Sequence, residues 1–224
     1  MDNERKFMLC FDTASRVLSI SLFSSISGRE IVGYVGKDTI SESLLSKITR
    51  LLQKQGATLR EIESIVISLG PGSFTGIRAG VAVAKGIKFG SRYVKLLGAS
   101  NLMALAMASS EVFVGKVLCV IDAGRGSFFT QEFLIKEKYV VEELCEPQIS
   151  SSDVISRHAL IVSSDTGFVF GIDGKFVEQV LSVSNLAKYL GVIALRGNAS
   201  EVIEPLYVSG VVYRRIHGSF DGAK

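Results

Sequence analysis

Asp12 with Thr13, and the run Gly70-Pro71-Gly72-Ser73-Phe74-Thr75-Gly76, are the residues whose types and spacing could do chemistry in this chain. A carboxylate at the end of a strand can hold a metal ion or a water. A glycine loop opening a helix offers backbone N–H groups and the positive end of the helix dipole to an anion. Together they would grip a nucleotide, which makes Asp12, Thr13, Gly70, Gly72, Ser73, Thr75 and Gly76 the candidate nucleotide- or phosphate-binding residues. The spacing Gly-x-Gly-x-x-x-Gly is neither the dinucleotide fingerprint nor the P-loop, and no Gly-Lys-Ser/Thr follows it. The competing reading is a structural turn, with Asp12 and Thr13 bonding their own backbone and Ser73 or Thr75 capping the helix.

Other chemistries find less support. His158 and His217 are far apart with no acidic cluster beside either, so no metal ligand is nominated and each is read as a surface residue. Cys10, Cys119 and Cys145 are odd in number and form no CxxC pair, which predicts buried thiols rather than a disulfide framework or a zinc site. There is no Gly-x-Ser-x-Gly elbow, and no catalytic residue is nominated. Asp122-Ala-Gly124 looks like a second phosphate hairpin, but Arg125-Gly126 follows and the segment reads first as a turn; Gly171, Gly174 and Gly197 lack the double glycine that an adenosine site requires.

The elements that must position these residues follow from periodicity. Lys6 to Asp12, Arg16 to Phe23 and Glu30 to Val35 read as an antiparallel meander. Thr39 with Glu42 forms a capping box, Leu44, Leu45, Ile48, Leu51 and Leu52 mark a helical face, and Gly56 ends that helix. Thr58 with Glu61 caps a short turn before a strand from Ser64 to Leu69. After the glycine loop comes a helix on which Gly76, Gly80 and Ala84 recur every four residues, a flat face serving either the core or a docked helix. A strand from Arg92 to Leu97 and a helix from Ser100 to Ser109 complete the half. Strands from Lys116 to Ile121, Ser127 to Ile135 and Tyr139 to Leu144 repeat the meander. Beyond them lie a short helix at Ser152 to Arg157, a strand at Ala159 to Ser163, a helix at Val183 to Leu195, a turn at Gly197 to Ser200 and an extended Val202 to Val208.

This order predicts an α/β protein by analogy with actin-like and Hsp70-like ATPases and their ribonuclease H-like motif: two lobes of mixed sheet flanked by helices. The first lobe is expected over 1–110, carrying the glycine loop, and a shortened, degenerate second lobe over 111–224. At 224 residues with 47% apolar content the chain can build real cores. No run approaches the roughly 18 apolar residues of a membrane helix, and the start does not read as a signal peptide, so cytoplasm is the expected compartment. The net charge of +3 is too mild to declare a nucleic-acid binder. Any direct nucleic-acid contact is expected through a partner, or weakly through the tail Tyr213-Arg214-Arg215-Ile216-His217.

Three segments in order carry a resemblance: Leu9-Cys10-Phe11-Asp12-Thr13, Gly70 to Arg78, and Glu204-Pro205-Leu206-Tyr207. The chain resembles the bacterial tRNA threonylcarbamoyladenosine biosynthesis family TsaB (YeaZ), within the TsaD/Kae/Qri group. The match is close from about Met8 to Ala106 and loose afterwards. Asp122, Arg125, Pro205 and Tyr207 are the second-half positions that match the family pattern, as structural motif residues. One departure is Ile40-Ser41-Glu42 where the family commonly has His-Ser-Glu.

The resemblance implies a non-catalytic subunit. Its catalytic relative TsaD carries a His-x-x-x-His metal pair that this chain lacks. Implied partners are a TsaD-like subunit, a TsaE-like ATPase, a second copy of this chain when TsaD is absent, and tRNA reached only within the complex. The implied interface is a bundle of first-lobe helices, here Leu45, Gly76, Arg78, Ala79, Gly80, Val83 and Ala84. No cofactor is expected to be firmly bound, with the partner interface as the place for ATP or ADP. Two alternatives remain open from the residues: a weak nucleotide-hydrolysing or phosphotransfer enzyme using Asp12 and the glycine loop, and a metallopeptidase.

Overall fold

Apolar runs make the inner strands and an alternating run makes the edge. Phe7–Asp12 (β1) and Leu18–Ser24 (β2) are almost wholly buried, whereas Glu30–Gly36 (β3) alternates half-buried with exposed positions. That contrast is expected of strands covered on both faces beside one at a sheet's edge. The computed structural model describes residues 6–36, 40–91, 93–151, 155, 160–164 and 179–208, with backbone alone at 40–43 and 179–180. In it β1, β2 and β3 pair antiparallel as the expected meander. Ile62–Ser68 (β4) and Lys95–Ala99 (β5) are added parallel to β1, in the order β3-β2-β1-β4-β5.

Two helices cover one face of this sheet. Ile40–Lys54 (α1) buries Leu44, Ile48, Leu51 and Leu52, a helical stripe that packs with Leu9, Phe11, Ile65 and Ile67. Each such side chain contributes roughly 1.5–3 kcal/mol of apolar burial. Gly56, at a φ of 64°, ends the segment, and the Thr58 N–H donates to Glu61 Oε2 at 2.9 Å in the expected capping turn. Phe74–Gly90 (α2) lies beside α1 and against β4 and β5.

The second sheet repeats the first. Gly115–Gly124 (β6), Ser127–Glu137 (β7) and Val140–Glu143 (β8) form an antiparallel meander, and Leu160–Ser163 (β10) and Gln179–Ser182 (β11) extend it in parallel. Its order, β11-β10-β6-β7-β8, is the first sheet's order read backwards, so β6 corresponds to β1. Gln148–Ser151 (β9) pairs with β7.

Between the sheets, the two halves exchange helices. Asn101–Ser109 (α3) follows β5 in the chain yet packs on β6, β7 and β10, while Leu186–Leu195 (α4) comes from the second half and packs on β1, β2, β4 and β5. Both are apolar nearly all round, as interior helices must be. One cluster joins Met8, Cys10, Phe23 and Val66 to Cys119, Phe133 and Val162 through these helices. A side chain at Gly191 would run into the Phe23 ring, which lets α4 sit close on β2.

Several expectations shift. The strand expected over Arg92 to Leu97 lies at Lys95–Ala99. The helix expected from Val183 begins at Leu186, because Asn185 caps it by accepting from the Lys188 N–H. Strands β9 and β11 add to the expected set, and the segment expected to be extended over Val202 to Val208 forms no strand. The cap at Thr39 and the helix over Ser152 to Arg157 fall on positions outside the described residues, apart from Ile155. No helix among the described residues is long and apolar enough to cross a membrane.

Candidate functional site

The β1 turn and the glycine loop are built into each other. Asp12 Oδ1 accepts from the Ala14 N–H at 2.8 Å and from Asn101 Nδ2 at 3.1 Å. Thr13 Oγ1 donates to the Gly76 carbonyl at 2.8 Å, and the Ser73 N–H donates to the Ala14 carbonyl at 2.8 Å. Gly70 closes the ring: its N–H donates to Ser68 Oγ and its carbonyl accepts from the Asn101 N–H. Gly72, at a φ of 153°, brings its Cα so near that a Cβ there would stand 2.5 Å from the Ala14 carbonyl oxygen. Ser73 is the cap of α2, its Oγ accepting from the Gly76 N–H at 3.2 Å.

The candidate phosphate-binding groups are therefore turned inward. Asp12, Thr13, Gly70 and Gly76 are buried, Gly72 is half-buried, and of the seven only Ser73 and Thr75 are exposed. Of the N–H groups at the helix start, those of Ser73 and Gly76 already donate, to the Ala14 carbonyl and to Ser73 Oγ. Asp12 Oδ2 and Asn101 Oδ1 are the buried side-chain oxygens without a partner among the described residues. Asn101 thus joins Asp12, a pairing that no sequence pattern signals because 89 positions separate them.

The second hairpin faces the first. Asp122, near the end of β6 as Asp12 is of β1, accepts from the Gly124 N–H at 2.7 Å and pairs with Arg16 Nη2 at 2.8 Å. With the Arg16 side chain 69% exposed, solvent screens this pair and its contribution is under about 1 kcal/mol. Arg125 takes φ 57° in the turn, and Gly126 follows at 75°. At the other end, Leu206 donates its N–H to the Leu69 carbonyl, which lays the Pro205-Leu206-Tyr207 segment over the end of β4. The Tyr207 ring sits 6.2 Å from Phe74, and the Arg78 guanidinium stacks 3.7 Å over Phe74.

The small-residue face of α2 corrects the interface expected from sequence. Gly76, Gly80 and Ala84 are buried within the chain itself, Gly80 against Phe11 of β1 and Thr13 just beyond it, so these three are not open to a partner. A Cβ at Gly80 would meet Thr13 Oγ1 at 2.3 Å. Leu45 and Arg78 remain exposed, and Ala79 and Val83 are half-buried on the outer surface. There Leu45, Val83, Gly86 and Ile87 line an open, mostly apolar groove of about 370 Å³, which Leu59 and Arg60 extend towards Gly90 and Ser91. Ile87 was not foreseen, although it falls one helical turn beyond Val83.

Cys10 and Cys119 are buried, and burial pushes both thiols well above their usual range; Cys145 is half-buried, correcting the expectation for that residue. No cluster of three or more His, Cys, Asp or Glu side chains suited to a metal occurs among the described residues. His158, His217, Gly171, Gly174 and the Arg214-Arg215 tail lie outside them, as do the side chains of Ile40 to Glu42.

A model of the family described as TsaD, tRNA N6-adenosine threonylcarbamoyltransferase, matches residues 31–153, more than half of the chain. The protein from Haemophilus influenzae called tRNA threonylcarbamoyladenosine biosynthesis protein TsaB is 26% identical over 193 residues, covering 80% of this chain and 79% of that one. The Bacillus subtilis protein of the same name is 26% identical over 78% of this chain and 76% of its own. Among solved structures, YeaZ from Pseudomonas aeruginosa superposes with a TM-score of 0.72 at 23% identity, over 91% of this chain and all of that one. A second Pseudomonas aeruginosa structure, described as similar to peptidase YeaZ, gives 0.74 at 19% over the same shares. These structural likenesses speak for the fold. By the family match, the chain belongs to the TsaD family, within which it is similar to the TsaB (YeaZ) proteins.

Proposed function

We propose that this chain takes part in making threonylcarbamoyladenosine at position 37 of tRNAs that read codons starting with A, as a non-catalytic subunit that binds and activates a TsaD-like catalytic partner. The observation that carries this reading is the outward groove on α1 and α2. Leu45 is 49% exposed there, beside Val83 and Ile87, while Asp12 and Thr13 are buried and bonded to the chain's own Ala14 and Gly76. An apolar face lined by two helices suits a second helix pair. In this reading a TsaE-like ATPase completes the assembly, a second copy of the chain occupies the groove when TsaD is absent, tRNA is met within the complex, and the setting is the cytoplasm. ATP or ADP, where it takes part, binds at the partner interface rather than between Asp12 and the glycine loop.

Light scattering after size-exclusion chromatography of this chain mixed with the TsaD-like protein of the same organism tests the reading. A defined complex is expected, and Leu45→Glu, at a groove position that is 49% exposed, should weaken it at least tenfold while leaving the melting curve of the isolated chain unchanged. Separate elution of the two wild-type proteins, with and without TsaE and nucleotide, would overturn it.

A further inference from the structure

The end of the first sheet at which β1, β4 and β5 begin carries positive charge that the modest net charge conceals. Lys6 precedes β1, Arg60 lies in the turn before β4, Lys95 opens β5, and Arg29 lies in the turn between β2 and β3. Lys54 and Lys88 stand in the last turns of α1 and α2 at the same end. All six are exposed, and none forms an ion pair among the described residues.

Three acids stand near these six cations among the described residues, Glu30, Glu61 and Glu63, so the cations outnumber them. Glu61 Oε2 accepts from the Thr58 N–H, and Glu30 Oε1 accepts from Ser21 and Asn185 on the opposite face. Lys54 and Lys88 suit the negative ends of their helices. The other four lie outside helices that such a role would explain. Two large rings stand among the cations: Phe89 is 92% exposed and Tyr93 79% exposed.

We propose that this end is an RNA-contacting surface, with the cations meeting phosphates and Phe89 and Tyr93 offering rings to an unpaired base. Basic side chains interleaved with exposed aromatics are what a single-stranded loop requires, charge for its backbone and flat faces for its bases. Arg60 also borders the groove on α1 and α2, so a partner in the groove and an RNA at the sheet end would bind side by side. The inference rests on the reading that the chain works on tRNA, and adds a direct contact to it.

The test titrates an unmodified tRNA transcript with the full chain, alone and in complex with the TsaD-like protein, at several KCl concentrations. Wild type should bind more weakly as salt rises. The triple variant Lys54→Glu, Lys88→Glu, Lys95→Glu, which leaves the groove residue Arg60 in place, should lose at least about tenfold in affinity, with a log–log salt slope shallower by about two to three. Phe89→Ala, which removes an exposed ring without touching the core, should lose about fivefold at an unchanged slope. Both variants should still assemble with the partner. Unchanged RNA affinity in both would overturn the surface while leaving the proposed function intact. So would loss of assembly with RNA binding retained, since the end would then be a protein interface. Wild-type binding to phosphatidylserine vesicles in preference to tRNA would overturn it in favour of a membrane. RNA binding that depends on this end, in a chain that does not assemble with the partner, would uphold the surface and overturn the proposed function.

Discussion

The Thr13 hydroxyl lies against Gly80: it donates to the Gly76 carbonyl one helical turn away, and a Cβ at Gly80 would stand 2.3 Å from its oxygen. The small side of α2 is thereby committed to the chain's own strand. Gly80→Ala should destabilise the protein by about 1–3 kcal/mol through overpacking, more than the gain of about 1 kcal/mol in helix propensity returns. Urea unfolding measures the loss, and Thr13→Ala in the same background should recover part of it by making room. A Gly80→Ala protein as stable as wild type would show that the approach is looser than this geometry.

Asp12→Asn should leave stability unchanged or raise it by about 1 kcal/mol. The amide oxygen can keep the bonds from Ala14 and Asn101, and the new N–H replaces a buried oxygen that has no partner. A loss above about 2 kcal/mol in denaturant would mean that Oδ2 serves something the amide cannot. The same variant addresses the enzymatic alternative: magnesium-dependent nucleotide hydrolysis by the isolated chain should be no different in wild type and Asp12→Asn, and turnover abolished by the substitution would revive that alternative.

Glu111 predicts a pH dependence at both ends of the scale. Burial pushes its carboxyl up, but hydrogen bonds from Tyr139, Lys188 and Tyr189, with the Lys188 charge, hold it below its ordinary range. Stability from a depressed carboxyl is present above its unfolded value and is lost as pH falls through the folded one. Tyr139 works in the opposite sense: burial and then its bond to Glu111 push it up to about 12. Its contribution is present below the unfolded value of about 10 and lost between there and about 12. Thermal melts across pH should show both losses. Glu111→Gln should flatten the acid limb, and Tyr139→Phe should reduce the alkaline one.

The exchanged helices make a prediction about fragments. Residues 1–110 alone lack α4, which leaves Cys10, Phe23 and Val66 uncovered, and residues 111–224 alone lack α3 over Cys119 and Phe133. Each fragment should aggregate or melt without a cooperative transition, and co-expression of the two should restore a soluble pair. A cooperative transition in either fragment would show that its sheet tolerates a bare face.

Much of this was legible in the sequence because it is local. The strand read from Arg16 to Phe23, the stripe from Leu44 to Leu52, the Thr58 with Glu61 cap and the Ser73 cap each depend on residues within a few positions of one another, and each formed, although the alternating strand is buried on both faces and runs from Leu18 to Ser24. The shift of β5 to Lys95–Ala99 and the short strands β9 and β11 depend instead on pairing with distant strands, which supplies no local signal.

The same divide runs through the candidate site. The residue types at Asp12, Thr13 and Gly70 to Gly76 were plain in the sequence and left two readings open, a phosphate grip or a self-bonded turn. Only the tertiary structure brought Asn101 to Asp12, Gly76 to Thr13 and Ala14 to Ser73, spending the Gly70, Ser73 and Gly76 N–H groups on the chain itself. A row of glycines on a helix likewise announces close approach without saying to what, since a missing side chain carries no label for its neighbour. Folding turned that row inward, Gly80 onto Phe11 and Thr13, and left Leu45, Val83 and Ile87 to line the groove. Packing chose between faces that periodicity alone made equivalent, because the side that buries is set by the shape of the surface it meets.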